Sequence, residues 1–218
     1  MFDETIFAVL PSTDPAENLA AERTLFLERR ESFILLWRNA PCVVIGRNQD
    51  PLLETTPLCR ASVPVVRRCT GGGAVYHDLN NVNFSFIQNG EPDIQTAVQP
   101  IIHFLRELQL PVEFSGRNDI LIDGKKISGC AQKTADGRTL THGTLLFRRD
   151  ALAMERYLSP PTEKLLRHGV ASVASRTGEL APHLPQFRQT TDFMAALAMF
   201  LHDEKVDIPA ENGYHNHE

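Results

Sequence analysis

Hydrophobic positions along the chain switch between a helical and an alternating period. After Thr13-Asp14-Pro15-Ala16-Glu17, Leu19, Ala20 and the Leu25-Phe26 pair recur at helical spacing, which predicts a helix over residues 16–29 with one buried face. Asp14 reads as its N-cap, Pro15 as its first helical residue, and Glu17 completes a D-x-x-E capping box. Strands are predicted at Phe33–Trp37 and Cys42–Ile45, parted by Arg38-Asn39-Ala40-Pro41. Three more follow at Val63–Arg68, Ala74–His77 and Val82–Ile87, punctuated by Gly71-Gly72-Gly73 and Asp78–Asn81. From Ile94, the positions Ala97, Val98, Ile101, Ile102, Leu105 and Leu108 mark an amphipathic helix whose stripe crosses Pro100, so the helix either kinks there or starts later.

Two hairpins turn on Asp-Gly: Ile120–Ile122 into Lys125–Ile127, and Gln132–Ala135 into Arg138–Leu140, with His142–Phe147 extending the last strand. Helical stretches near 150–157, 161–167 and 190–203 close a domain spanning 1–206, and the tail 207–218 is polar, its His215 and His217 too near the terminus to read as ligands. Strand runs interleaved with helices and joined by short hairpins predict an α+β fold, a mostly antiparallel mixed β-sheet with flanking helices.

Composition narrows the functions open to such a domain. The 218 residues are 42% hydrophobic and 22% charged, inside the globular range. With 22 basic and 27 acidic residues the net charge is −5, so bulk electrostatics give no drive toward nucleic acid or an anionic membrane, and any basic site must be local. Acids occupy the first residues, MFDET, where a secretion signal carries Lys or Arg, and no apolar run reaches the ~18 residues of a membrane span. The expectation is a soluble, cytoplasmic protein. Cys42, Cys59, Cys69 and Cys130 show neither CxxC nor Cys/His ligand spacing, so reduced thiols are expected.

The first Asp-Gly hairpin carries chemistry. Simple pairing sets Ile122 opposite Lys125, Leu121 opposite Lys126, Ile120 opposite Ile127 and Asp119 opposite Ser128. Ile120, Ile122 and Ile127 then form the core face, and Asp119, Lys126 and Ser128 the other. On spacing alone an ordinary surface Asp/Lys pair reads equally well. The second feature is Arg67-Arg68-Cys69-Thr70-Gly71-Gly72-Gly73-Ala74-Val75-Tyr76-His77-Asp78. Three glycines between strands let the backbone approach a phosphate or adenylate and aim N–H groups at it, although a Gly-rich turn is also a common bend. No GK[ST] follows and a strand comes next, which excludes a P-loop and a dinucleotide fingerprint. Arg67 and Arg68 must face opposite ways, so one of them meets the ligand, and His77 reads as structural or functional alike.

The segments RRCTGGGAVYHDLNNVNFSF, GRNDILIDGKKISGCAQ and THGTLLF, in this order and spacing, resemble the lipoate-protein ligase family, of the fold group shared with biotin-protein ligases and octanoyltransferases. Asn18–Glu22, Leu36–Asn39, Val44–Gln49 with Pro51 and Glu54, and Gly169–Val173 fit the same pattern. The resemblance, which runs from about residue 5 to 205, implies a two-step reaction: lipoate and ATP with Mg²⁺ form lipoyl-adenylate, and a lysine of a lipoyl-domain protein then takes the acyl group. It implies Lys126 as the catalytic cation. Arg68 and the Gly72-Gly73-Ala74-Val75-Tyr76-His77 stretch, with Asn83, match adenylate- or substrate-contacting positions. Asn118 and Asp119 match an RND motif, with Asp119 directed to Mg²⁺ or to the acceptor lysine, and His142 lies at the family's HG position. Leu19, Trp37, Val44 and Val75 are the apolar positions expected to line an acyl slot.

The implied acceptors are lipoyl-domain proteins of the 2-oxoacid dehydrogenase E2 or glycine-cleavage H type. Family members usually continue into an accessory domain, so the accessory part is expected either as a separate subunit or as dispensable here. Asn80 replaces the Gly of HDLGN, and Cys130 replaces a Ser or Asn of SGxA. Absent a bulge, Cys130 shares the face of Lys126, and His142 lies off that face unless a bulge near Gly129 intervenes. Cys130 thus reads either as a buried thiol or as an acyl-thioester nucleophile, although octanoyltransferases place their cysteine elsewhere, and one group's PCG motif is here Arg167-His168-Gly169. Two rival readings remain, an ATP-independent lipoyl or octanoyl transferase and a non-catalytic module binding lipoate or a lipoyl domain. A biotin ligase is disfavoured because the Arg/Gly-rich loop of that group is missing.

Overall fold

Two sheets of unequal size organise the chain, and His77 of the smaller meets Thr144 of the larger. The computed structural model describes residues 5–116, 118–159 and 176–203. The helix expected at 161–167, Arg167-His168-Gly169, Gly169–Val173 and the histidines of the tail lie outside the described residues. Strands and helices follow in the order β1 (Thr5–Val9), α1 (Pro15–Glu28), β2 (Ser32–Trp37), β3 (Cys42–Ile45), α2 (Pro51–Glu54), α3 (Pro57–Ser62), β4 (Val65–Arg67), β5 (Val75–His77) and β6 (Asn81–Asn89). Then come α4 (Ile94–Ala97), α5 (Gln99–Glu107), β7 (Glu113–Ser115), β8 (Asp119–Ile122), β9 (Lys125–Ala135), β10 (Arg138–Leu146), α6 (Ala151–Tyr157) and α7 (Thr190–Asp203). The large sheet runs β1-β2-β6-β10-β9-β8-β7 and the small one β4-β3-β5. Among the described residues the β1/β2 and β3/β4 strand pairs are parallel and the other strand pairs antiparallel, so the fold is the α+β, mostly antiparallel mixed sheet with flanking helices that the pattern predicts.

The large sheet is buried on both faces because its central strands alternate between two cores. Ile34, Leu36, Phe84 and Phe86 face α5 and α7, where Ile101, Leu105, Phe193 and Leu197 complete the main core. Phe33, Leu35, Trp37, Ile87 and Leu140 face the other way, against Phe26 of α1. Around the small sheet, Val43, Ile45 and Tyr76 pack on Ala153, Met154 and Leu158.

Several local expectations are corrected. The buried stripe of α1 is Pro15, Asn18, Glu22 and Phe26, with Leu19 half-buried and Ala20 exposed. The helix thus presents polar groups to the sheet, which apolar periodicity does not register. Asp14 Oδ1 does cap the helix, accepting from the amides of Ala16 and Glu17 at 2.8 and 3.0 Å. The return half of the capping box is relayed instead of direct: Ser12 Oγ donates to Glu17 and accepts from the Asp14 amide. The strand expected at Val63–Arg68 shortens to β4 because α3, capped by Thr56 with Pro57 behind it, occupies the preceding residues. At Pro100 the chain makes a new helix start, with Pro100 in the first turn of α5, where its missing N–H costs nothing.

Candidate functional site

The β8–β9 hairpin does not pair residue for residue to its end. Ile122 pairs with Lys125 and Leu121 with Lys126, but Ile120 then pairs with Ser128 and Asp119 with Gly129. Ile127 is therefore the extra residue of a β-bulge, and the expected pairings Ile120/Ile127 and Asp119/Ser128 do not occur. A one-residue slip changes the face of everything after it. Ser128 and Cys130 turn into the core, whereas Gly129 and Ala131 join Lys126 on the opposite face. His142 pairs with Ala131 and thereby shares that face. The bulge reconciles Lys126 with His142 and removes Cys130 from both, and burial pushes the Cys130 thiol up to about 12.

Lys126 lies across Gly129. A Cβ built on Gly129 would collide with the Lys126 Nζ and Cε atoms, so the glycine is the trough in which the lysine rests. Its ammonium stands 2.7 Å from Asp119 Oδ1, and about a third of the Lys126 side chain, 36%, stays in water. That carboxylate oxygen has no aligned hydrogen-bond donor among the described residues, so the ammonium is its electrostatic compensation. The backbone of Lys126 is clamped from outside, its carbonyl accepting from the Gly178 amide at 2.8 Å. Asn118 is a strut: its Nδ2 donates to the Cys130 carbonyl at 2.6 Å, and its own carbonyl accepts from the Cys130 amide at 2.8 Å.

The glycine loop closes over the same sheet face. Arg67 and Arg68 point apart, as alternation requires. Arg67 Nη1 donates to the carbonyls of Gly46, Arg47 and Gln49 at 2.7–2.9 Å, bracing the turn after β3. Arg68 is buried and donates to Gly71 O at 2.6 Å, Gly73 O at 2.8 Å, Val44 O at 3.3 Å and Thr70 Oγ1 at 3.2 Å. Burial pulls its guanidinium down to about 10, so it remains a cation at neutral pH. The loop wraps this cation with its carbonyls, and Gly72 takes φ +89°, which an L side chain rarely adopts. The Tyr76 ring faces the small core against Tyr157, so only its backbone belongs to the site, and Ala74 packs on that core too. The Val75 side chain is exposed, whereas Val44 and Trp37 are buried.

Two buried polar chains lock loop, sheet and α1 together. In the first, Arg68 Nε donates to Thr70 Oγ1, which lies 2.7 Å from His142 Nε2; His142 Nδ1 donates to Glu22 Oε1 at 2.8 Å, and Ser85 Oγ donates to the same oxygen. In the second, Asn18 Nδ2 donates to Asn39 Oδ1 at 2.9 Å and Asn39 Nδ2 to His77 Nδ1 at 3.1 Å. This order leaves the proton on His77 Nε2, which donates to Thr144 Oγ1 at 2.9 Å; Thr144 in turn donates to Asn83 Oδ1 at 2.7 Å. Burial drives His77 down to about 3, with Arg68 adding to the effect, so the ring is neutral. Asn83 Nδ2 and, directly across the sheet, Trp37 Nε1 are buried without a hydrogen-bond partner among the described residues.

Glu22 and Asn39 belong to the site although apolar periodicity does not single them out; both stand in the motifs quoted above. Arg23, Arg47 and Lys133 take no part in the two polar chains. These three cations, with Arg67 and Arg68, border a pocket of about 480 Å³ beside the glycine loop. Leu19, Ala16 and Ala20 of α1 line its apolar side.

Comparison with known proteins gives one consistent answer. The family described as "Lipoyl protein ligase A/B catalytic domain" matches residues 14–201. The chain is 38% identical over 192 residues to lipoate-protein ligase LplJ of Bacillus subtilis, covering 84% of this chain and 58% of the relative. The chain thus spans about three-fifths of the length of the curated relatives it matches, 58–64%. Among solved structures, P. falciparum LipL1 in complex with lipoate superposes with a TM-score of 0.75 at 28% identity, over 94% of this chain and 65% of that one. A bi-partite lipoate protein ligase from Thermoplasma acidophilum, described with its E2 lipoyl domain, gives 0.77 at 25% identity, over 93% and 83%.

Proposed function

The chain belongs to the family of lipoyl protein ligase A/B catalytic domains, and on that premise we propose that it activates lipoate with ATP and passes the lipoyl group to a lysine of a lipoyl-domain protein. The acceptors are of the E2 or H type. The observation that carries this reading is the half-exposed Lys126, laid across Gly129 on the sheet face that the glycine loop covers.

In the first step a carboxylate oxygen of lipoate bonds to the α-phosphorus of ATP and the bond to the departing pyrophosphate breaks. Negative charge concentrates on the phosphate oxygens, and a lysine whose own counter-ion is a single carboxylate is free to turn toward it. In the second step the acceptor amine bonds to the acyl carbon, the acyl–oxygen bond breaks, AMP leaves and the amine loses a proton. The backbone of Gly72–His77, held by Arg68 and by the His77 chain, fixes the shape of the surface on which the adenylate rests. Mg²⁺ in nucleotide sites is held by one or two carboxylates plus substrate phosphates. Asp119 would supply one such carboxylate, and no group of three or more His, Cys, Asp or Glu placed to hold a metal occurs among the described residues. Mg²⁺ would therefore arrive with the nucleotide.

Lipoate-dependent ATP–pyrophosphate exchange, run with and without cell extract to supply an accessory polypeptide, tests the proposal; failure to form lipoyl-adenylate in both cases overturns it. Against a thioester-forming transferase stands Cys130, buried at 2% exposure on the core face. Cys130→Ala should leave lipoyl transfer unchanged and no hydroxylamine-sensitive acyl-enzyme should accumulate. No helix among the described residues is long and apolar enough to cross a membrane, in keeping with the cytoplasmic placement we propose.

A further inference from the structure

The rim of the pocket beside the glycine loop has a charge that the rest of the chain does not share. Over a net charge of −5, Arg23 of α1, Arg47 after β3 and Lys133 of β9 converge from three separate elements on one opening. Arg23 and Arg47 are exposed and have no carboxylate within ion-pair distance among the described residues; Lys133 stands 6.0 Å from the Phe26 ring centroid. Unlike Arg67 and Arg68, whose guanidinia are committed to backbone carbonyls, Arg23 and Arg47 show no such commitment among the described residues. The α1 side of the pocket is apolar, formed by Ala16, Leu19 and Ala20. Apolar surface beside exposed, uncommitted cations suits a protein–protein contact, and fixed charge there acts mainly by steering a partner of opposite sign.

We propose that this rim is the docking surface for an acidic face of the acceptor domain, with carboxylates flanking the acceptor lysine meeting Arg23, Arg47 and Lys133. The inference rests on the ligase reading, because an acceptor that must reach an acyl group beside the glycine loop has to cover the adjoining surface. Its sign follows from the rim: a basic partner face would be repelled and a neutral one would leave the cations desolvated and unpaired.

The test is direct binding of an apo lipoyl domain with acidic residues around its lysine, measured by titration calorimetry across a salt series, alongside pyrophosphate exchange. Wild-type affinity should fall steeply with salt. The Arg23→Glu/Arg47→Glu double variant should bind at least about tenfold more weakly, with exchange unchanged and the salt dependence flattened. Reversing the acceptor's carboxylates to lysine should restore binding to that variant. Salt-independent binding, or equal affinity for variant and wild type, overturns the inference. An equal loss of exchange also overturns it, since the cations would then belong to the small-molecule site. Wild-type protein that binds the acceptor through this rim yet shows no exchange would sustain the docking surface and sink the ligase reading.

Discussion

Lys126 and Arg68 are the two cations of the site, and the molecule holds them in opposite ways. Arg68 is buried, with its donors committed to Thr70, Gly71, Gly73 and Val44. Lys126 has one ionic partner at 2.7 Å and keeps 36% of its side chain in water. A buried cation with many fixed acceptors builds structure, because removing it strands every acceptor; a half-exposed cation with one partner costs little to redirect toward a ligand. The number of commitments, more than the charge, separates a scaffold cation from one available to a ligand. Arg68 directs its hydrogen bonds to the glycine loop, the loop proposed to carry the adenylate.

The largest expected effect is on Arg68. Arg68→Ala leaves three loop and strand carbonyls without their donor and should lower unfolding free energy by roughly 3 kcal/mol in urea titrations; a loss under ~0.5 kcal/mol would show the guanidinium to be as free as Lys126. Next, Lys126→Ala should reduce pyrophosphate exchange by at least about 10²-fold while shifting stability by less than ~1 kcal/mol. Equal damage to folding would erase the contrast. Stability should also fall with acid through the scaffold half of the site. Burial holds His77 at about 3 against an ordinary 6.5, so between these values the unfolded chain takes up a proton that the folded chain refuses. The contribution is fully present above about pH 6.5 and declines by about 1.4 kcal/mol per unit below it. His77→Gln should flatten that slope in unfolding curves recorded at about pH 7, 6 and 5. The smallest and sharpest change is Gly129→Ala. It places a methyl where Lys126 lies but strains no backbone, since Gly129 is outside the left-handed region. Exchange should drop on the order of tenfold with stability altered by under ~1 kcal/mol, and unaltered exchange would show that Lys126 works from another position.

How much of this was legible without coordinates differs from one element to the next. The Asp-Gly hairpins were, because both Asp123-Gly124 and Asp136-Gly137 take the positive φ that tight turns require, 50° and 71°, 53° and 70°. The core face of Ile120, Ile122 and Ile127 was legible too, since all three are buried. The bulge at Ile127 was not, because it is a property of pairing: no residue type there announces that two residues will oppose one. The polar underside of α1 was hidden for a related reason. Asn18 and Glu22 look like solvent-facing residues until Asn39, His142 and Ser85, each distant in sequence, arrive to satisfy them.

Local chemistry therefore determined the elements, the glycine loop, the Lys126/Asp119 pairing and the family resemblance, all of which depend on neighbours within a few residues. Tertiary structure decided which face each side chain took after the bulge, that Arg68 would be consumed by its own loop, and that Arg23, Arg47 and Lys133 would meet at one rim. Those outcomes rest on distances between residues far apart in the chain, and strand register and burial set such distances only once the whole sheet has closed.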